Sequence, residues 1–249
     1  MALVTGAGSA EGLGFCSAKL LAACGASVVI TSTTERIENR RDELLQAGFS
    51  AAYVIADLTD SQGVENVVEC VRDSYGALDI LVNNAGMTSV MKPGRGGGIE
   101  DVSIEEFEEG IQRNTTTAYA VIKEALPLMK LSDQGRIINI TSATGPLMAM
   151  RDEVSYAAGK AAMMGITRAL ALDLARHRIT VNAIAPGWID TASSSDHERE
   201  QGLCTPLQRS GTAEEVAGAV AWLASPSAGY ITGQMIVIDG GNSITEERG

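Results

Sequence analysis

The chain of 249 residues is 45% hydrophobic and 20% charged, and its 19 basic and 31 acidic side chains give a net charge of −12. The length allows a sizeable core, and the acidic balance argues against a surface that neutralises nucleic-acid phosphates. Four cysteines without a C-x-x-C spacing, two histidines and no long apolar run predict a reduced, cytoplasmic protein with no metal site and no membrane span.

Short apolar segments alternate with segments of helical period along the chain. The predicted strands are 2–5, 27–31, 53–56, 79–82, 136–141, 180–184 and 235–238, and the predicted helices are 15–24, 35–46, 61–75, 105–129, 155–176 and 213–223. Consecutive apolar residues, as in Ile137-Ile138, suit a strand that is covered on both faces. The sequence therefore predicts one α/β domain over 1–249, a doubly wound Rossmann-type fold with a seven-stranded parallel sheet between helix layers.

A glycine-rich turn over 5–14 joins the first strand to the first helix. Glycines let backbone N–H groups approach a diphosphate, and the helix N-terminus adds partial positive charge. The candidate cofactor contacts here are Gly6, Ser9 and Leu13. The strict G-x-G-x-x-G spacing is absent because Glu11 stands at the third glycine's place, so tight packing is the alternative explanation.

The end of the second strand indicates which dinucleotide is bound. A carboxylate at this place pairs with the ribose of NAD, whereas this chain has Ser32 and Thr33, followed by Arg36. Hydroxyl and guanidinium groups suit a 2′-phosphate. The prediction is therefore NADP, with NAD as the alternative because Glu11 opposes an additional phosphate.

Two polar or glycine-rich segments, 92–98 and 191–196, follow strand ends at the edge where ligands bind in such sheets. They are candidates for the rim of a site, and surface loops are the alternative. The second segment continues to residue 210 as a candidate lid of mixed charge, in which His197 is a weak candidate for substrate contact.

Tyr156 and Lys160 are four residues apart on one predicted helix face. A tyrosine that acts as an acid or base near neutrality needs its pKa lowered by about 3 units, and a nearby ammonium acts in that direction. A core ring beside a long amine is the alternative explanation.

Several motifs occur together in one order: Thr5-Gly6, Asn83-Asn84-Ala85-Gly86, Ser142, Tyr156-x-x-x-Lys160, Pro186-Gly187 and Asp239-Gly240-Gly241. In this order and spacing the chain resembles the short-chain dehydrogenase/reductase family over essentially its whole length. Within that family it is most similar to the 3-oxoacyl-carrier-protein reductase group.

The resemblance implies a role for each matching residue. Tyr156 would exchange a proton with the substrate oxygen, and Ser142 would hydrogen-bond the same oxygen. Lys160 would hold the nicotinamide ribose and lower the tyrosine pKa, and Asn114 would hold a water that relays protons to Lys160. Tyr156 and Lys160 also count as cofactor contacts, and the others implied are Asp57, Leu58, Asn83, Asn84, Ala85, Gly86, Pro186, Gly187 and Ile189.

The chain departs from the family pattern near the expected site. Gly6 to Gly12 spans six positions where the family has four, which is expected to alter the diphosphate geometry. The glycine-rich loop after Gly86 is longer than usual, and Ser142 to Tyr156 spans 14 positions, about one more than expected. Because these last two changes border the substrate pocket, the substrate is defined only as a small carbonyl or alcohol compound, which could be linked to an acyl carrier. The resemblance also implies a homotetramer, in which the helices that carry Asn114 and Tyr156 pair across a two-fold axis.

Three other functions stay open at this point. The chain could be a nucleotide-binding sensor that lacks turnover, an NAD-preferring alcohol dehydrogenase, or an enoyl reductase. The Tyr156–Lys160 spacing is closer than the enoyl reductase group has, and a complete catalytic set disfavours the sensor.

Overall fold

The computed structural model describes residues 1–86 and 97–246, and its centre is a seven-stranded parallel sheet. The strands of this sheet are β1 (Ala2–Val4), β2 (Val28–Ser32), β3 (Ala51–Ile55), β4 (Ile80–Asn83), β5 (Arg136–Ile140), β6 (Thr180–Pro186) and β9 (Met235–Ile238), and β7 (Ile189–Asp190) pairs separately with β8 (Gly211–Thr212). Their order is β3-β2-β1-β4-β5-β6-β9. The strand order reverses between β1 and β4, where doubly wound sheets bind their ligands.

Helices cover both faces of the sheet. They are α1 (Leu13–Ala23), α2 (Arg36–Gln46), α3 (Ser61–Tyr75), α4 (Ile104–Ile111), α5 (Thr117–Met129), α6 (Val154–Leu174), α7 (Asp196–Leu203) and α8 (Ala213–Ala224). Among the residues that the structure describes, no helix is long and apolar enough to span a bilayer. The predicted doubly wound α/β fold with seven parallel strands is confirmed.

The hydrophobic core has two halves, one on each side of the sheet. Adjacent residues of β5 belong to different halves: Ile137 packs in the half covered by α3, α5 and α6, and Ile138 packs in the half covered by α1, α2 and α8. Side chains alternate across a strand, so consecutive apolar residues fill both halves. This burial fixes where each strand ends, and thereby where the residues of the site lie.

The structure corrects the prediction in two places. The single helix expected over 105–129 is interrupted by a π-helical turn at Gln112–Thr116, between α4 and α5. The expected loop at 191–210 contains α7, which begins with a capping box in which Ser195 and Glu198 bond each other's backbone N–H. Of the glycine-rich segment 92–98, residues 92–96 lie outside the described residues.

Candidate active site

The predicted catalytic residues come together at the carboxyl edge of the sheet. Ser142 follows the end of β5 by two residues, and Tyr156 and Lys160 lie in the first two turns of α6. Asn114 lies in the π-helical turn, which packs against α6. Four side chains from three separate segments of the chain thus meet in one region.

Lys160 is buried with 1% of its surface exposed. Its Nζ donates a 3.0 Å hydrogen bond to the carbonyl of Ile140 at the end of β5, and lies 5.7 Å from the centroid of the Tyr156 ring. Burial lowers the pKa of this amine from 10.5 to about 8. A buried ammonium with donors to spare is a ready binding group for hydroxyl oxygens.

The helical turn that carries Lys160 is held by two threonines. Thr115 donates a 2.6 Å hydrogen bond to the carbonyl of Gly159, and Thr141 donates one of 2.7 Å to the carbonyl of Lys160. One threonine belongs to the π-helical turn and the other directly follows β5. Neither residue is predicted from the sequence, because a threonine that bonds a distant backbone carbonyl leaves no local signal.

The pKa of Tyr156 is raised in the protein alone. Burial is the main cause, Glu153 and Glu198 add to it, and the Ser142 hydroxyl opposes it. From the sequence, Lys160 is expected to lower the pKa of Tyr156. In the structure burial has the larger effect, and the pKa is raised. The phenol therefore holds its proton at neutral pH.

Asn114 is buried and only partly hydrogen-bonded. Its Nδ2 donates a 3.0 Å bond to the carbonyl of Gly110, one helical turn earlier, whereas its Oδ1 is buried with no partner among the described residues. Gly159 of α6 approaches so closely that a Cβ there would lie 2.9 Å from the Cβ of Asn114. A buried acceptor of this kind is where an ordered water or a ligand binds.

The glycine-rich turn forms a cradle with no room for side chains. Gly6 has φ +68°, and a Cβ there would lie 2.9 Å from the backbone of Ala85. At Gly8 a Cβ would lie 2.7 Å from Ser32 Oγ. Helix α1 has no side-chain cap at its N-terminus, so its first backbone N–H groups are available to an anion.

Hydrogen bonds link the glycine-rich turn to the residue after β4, and the additional residues of the turn lie at the surface. Asn84 donates hydrogen bonds of 3.1 and 2.9 Å to the carbonyls of Thr5 and Gly6. Ala10 and Glu11 are exposed, so the longer turn extends into solvent. The candidate contacts Ser9 and Leu13 are both partly buried at the turn.

At the adenosine end, the candidate contacts lie at the ends of β2 and β3. Ser32 accepts a 3.2 Å hydrogen bond from the backbone N–H of Thr34, and Thr33 between them is exposed. Asp57 accepts bonds of 2.9 and 2.7 Å from Thr59, and Leu58 beside it is buried. Arg36 donates to the Thr34 hydroxyl at 3.2 Å, so its guanidinium also lies by this turn.

The remaining candidate contacts follow β4 and β6. Asn83 is buried, Asn84, Ala85 and Gly86 are partly buried, and Gly86 has φ +136°. Gly187 approaches Asp239 so closely that a Cβ would lie 2.6 Å from the aspartate Cβ, while Pro186 accepts a bond from Ala143. Ile189 is part of β7. The glycine cradle, the unpartnered Asn114 oxygen and the buried ammonium together fit a dinucleotide.

Comparison with known proteins agrees with this architecture. Residues 6–243 match a family model described as enoyl-(acyl carrier protein) reductase. The chain is 37% identical to the 3-oxoacyl-[acyl-carrier-protein] reductase FabG of Vibrio cholerae over 245 residues, which are 97% of this chain and 96% of that protein. It is 35% identical to the oxidoreductase UcpA of Salmonella typhimurium over 257 residues, 98% and 95% of the two chains.

Solved structures give the same result. A dehydrogenase/reductase from Sinorhizobium meliloti superposes with a TM-score of 0.89 at 34% identity, covering 98% of this chain and 94% of that one. A short-chain dehydrogenase/reductase from Serratia marcescens superposes with a TM-score of 0.87 at 34% identity, covering 97% of both chains. The chain therefore belongs to the short-chain dehydrogenase/reductase family and is an NAD(P)-dependent oxidoreductase that acts on carbonyl or alcohol groups.

Proposed function

We propose that the protein is an NADP(H)-preferring oxidoreductase that interconverts a ketone and a secondary alcohol, with Tyr156 as the general acid and base. The observation that carries this proposal is the buried Lys160 ammonium one helical turn from Tyr156, with Nζ 5.7 Å from the ring centroid. The Ser142 hydroxyl, two residues after the end of β5, favours a lower pKa of the Tyr156 phenol.

In the reducing direction, the phenol of Tyr156 gives its proton to the carbonyl oxygen of the substrate. The nicotinamide, when bound, supplies the hydride to the carbonyl carbon, and accepts it in the reverse reaction. Ser142 hydrogen-bonds the substrate oxygen and holds it beside the phenol. Lys160 holds ribose hydroxyls, and its positive charge favours the phenolate that forms when the proton leaves. The Asn114 oxygen holds a water from which that proton is replaced.

Cofactor binding would use the candidate contacts described above, within one domain that spans 1–249. The glycine cradle and the start of α1 hold the diphosphate, and Asp57 and Leu58 flank the adenine. Ser32, Thr33 and Arg36 favour a 2′-phosphate, because hydroxyl and guanidinium groups donate to phosphate oxygens. Glu11 is exposed at the longer turn, where solvent screens its repulsion of that phosphate.

The test is the absorbance of reduced nicotinamide with NADPH and NADH side by side, against ketones of increasing size. We expect faster consumption of NADPH than of NADH, and loss of turnover in Tyr156→Phe. Tight cofactor binding without turnover of any carbonyl would favour a sensor. Unchanged rates in Tyr156→Phe would remove that residue from the mechanism.

An enoyl reductase is the second candidate, because the matching family model carries that description. The four-residue spacing of Tyr156 and Lys160 favours a carbonyl substrate instead, since enoyl reductases of this family separate the two residues more widely. Parallel assays with a 2-enoyl and a 3-oxoacyl thioester of equal chain length distinguish these reactions.

We also propose a cytoplasmic homotetramer. Helix α6 exposes Leu172 with 81% of its surface accessible, and α5 exposes Tyr119. These apolar side chains lie on the helices that the resemblance pairs across a two-fold axis. Light scattering coupled to size exclusion measures the assembly, and Leu172→Glu is expected to reduce its mass.

A further inference from the structure

Two glycines bring the segment that carries Asn114 close to α6. Gly110 lies near the end of α4, and a Cβ there would lie 2.6 Å from Ser155 Cβ and 2.7 Å from Ser155 Oγ. Gly159 of α6 faces Asn114 in the same way, because a Cβ on it would lie 2.9 Å from the Cβ of Asn114. Carbon atoms without a bond between them do not approach this closely, so the two segments can pack in this way only with glycine at both positions.

Hydrogen bonds hold the same contact together. Asn114 Nδ2 donates a 3.0 Å bond to the carbonyl of Gly110, and the Thr115 hydroxyl donates a 2.6 Å bond to the carbonyl of Gly159. The two glycines also face each other, since a Cβ on Gly159 would lie 3.3 Å from the Gly110 oxygen. Consecutive residues of the π-helical turn are thus attached to two different helices, Asn114 to α4 and Thr115 to α6.

This contact lies beside the residues of α6 that the proposed function uses. Ser155 directly precedes Tyr156, and Gly159, one helical turn later, directly precedes Lys160. Lys160 is also held by β5, because its Nζ donates a 3.0 Å bond to the carbonyl of Ile140. A wider spacing between α4 and α6 would therefore move the π-helical turn away from Lys160, while β5 keeps the lysine in place.

We propose that Gly110, Thr115 and Gly159 are positioning residues, which hold Asn114 at a distance from Lys160 that one water molecule can bridge. Such a water must lie within about 3 Å of both partners, so a displacement of about 1 Å breaks the bridge. In the proposed function the proton of the phenol is replaced from the water that Asn114 holds. The packing of α4 against α6 then sets the rate of this step. This inference rests on the proposed function.

The first experiment replaces Gly110 by alanine and measures the reduction of a ketone with NADPH in H₂O and in D₂O. We expect kcat to fall about tenfold, and the ratio of kcat in H₂O to kcat in D₂O to rise, because replacement of the proton becomes the slow step. A variant that merely folds less well loses active enzyme, which lowers kcat and leaves this ratio unchanged. Helix propensity does not explain a loss, since alanine favours a helix over glycine by about 1 kcal/mol.

A second substitution should restore the space between the helices. Ser155→Gly removes the Cβ and Oγ that the new alanine meets, so Gly110→Ala/Ser155→Gly should recover most of kcat and the isotope ratio of wild type. Gly218→Ala is the matched control, because Gly218 lies within α8 and a Cβ there meets no atom within 4 Å. We expect this control to keep both values of wild type.

Thr115 tests the hydrogen bond separately from the packing. Thr115→Val removes the hydroxyl and keeps the shape, so we expect kcat to fall about threefold with a raised isotope ratio, whereas Thr115→Ser should keep the values of wild type. Thr116→Val is the control, since Thr116 is exposed in the same turn. Unchanged kinetics in Thr115→Val would overturn the role of that hydroxyl.

Crystal structures of wild type and Gly110→Ala read the same geometry without turnover. We expect an ordered water between Asn114 and Lys160 in wild type and its loss in the variant. The inference is overturned if both structures hold this water, or if Gly110→Ala keeps the isotope ratio of wild type. Full turnover by Tyr156→Phe would instead refute the proposed function, while the two crystal structures would still decide whether Gly110 positions Asn114.

Discussion

Replacing Lys160 by methionine should stabilise the fold while it abolishes turnover. In the folded protein burial lowers the lysine pKa from 10.5 to about 8. A shift of about 2.5 units, at about 1.36 kcal/mol per unit, is a penalty of about 3 kcal/mol for keeping the amine charged at neutral pH. Methionine removes this penalty and also the bond to Ile140, which is worth about 1–2 kcal/mol. The expected net gain near pH 7 is about 1–2 kcal/mol.

The pH dependence of this gain is a sharper test than its size. Because the folded-state pKa lies below the unfolded one, the unfolded chain binds more protons between pH values of about 8 and 10.5. The stability of the wild type therefore rises with pH across that window relative to the variant. Between about pH 7 and pH 9.5, we expect the wild type to recover about 2 kcal/mol of the difference.

Urea unfolding of both proteins at the two pH values measures this, at one protein concentration because the protein is proposed to be a tetramer. Lys123→Met is the control, since Lys123 lies exposed on α5. A Lys160→Met protein that is less stable than wild type by the same amount at both pH values would refute the reasoning, and would show that the amine is not held at a cost.

Two further predictions concern buried contacts. Thr167 accepts a 2.9 Å hydrogen bond from the buried amide of Asn139, so Thr167→Val should cost about 1–3 kcal/mol in urea unfolding. Thr117→Val is the control, because its hydroxyl donates to a carbonyl one helical turn earlier and accepts from none of the residues in 1–86 and 97–246. We expect a cost below about 1 kcal/mol. Gly86→Ala forces a left-handed φ of +136° on alanine and places a Cβ 3.2 Å from the Cα of Asn114. Because this displaces the turn beside the proposed site, kcat/KM should fall about a hundredfold. An unchanged kcat/KM would show that the turn can shift freely.

Much of the fold could be predicted because burial on both faces of the sheet leaves a simple pattern. Strands such as β5 are apolar on consecutive residues, and the helices between them have ordinary lengths. The same regularity places Ser142 and Asn83 at strand ends and Tyr156 one turn from Lys160. Local sequence therefore determined which residues gather at the carboxyl edge of the sheet.

The parts that were missed depend on contacts between distant segments. The π-helical turn at Asn114 is fixed by Thr115, which bonds Gly159 of α6, and no local periodicity reports such a contact. Helix α7 had a readable signal, the S-x-x-E capping box of Ser195 and Glu198, but its polar sequence has no apolar stripe. The raised pKa of Tyr156 is a property of burial, which a pair spacing alone does not reveal.

Several groups of the site set the proton affinity of Tyr156. Burial is the main cause of its raised pKa, the Ser142 hydroxyl opposes that rise, and the carboxylates of Glu153 and Glu198 add to it. A phenol that keeps its proton at neutral pH suits donation to a carbonyl that is being reduced. In Glu153→Gln the pKa of the phenol should be lower than in wild type, so the pH profile of alcohol oxidation should extend to lower pH. An unchanged profile would show that the charge of Glu153 does not reach the phenol.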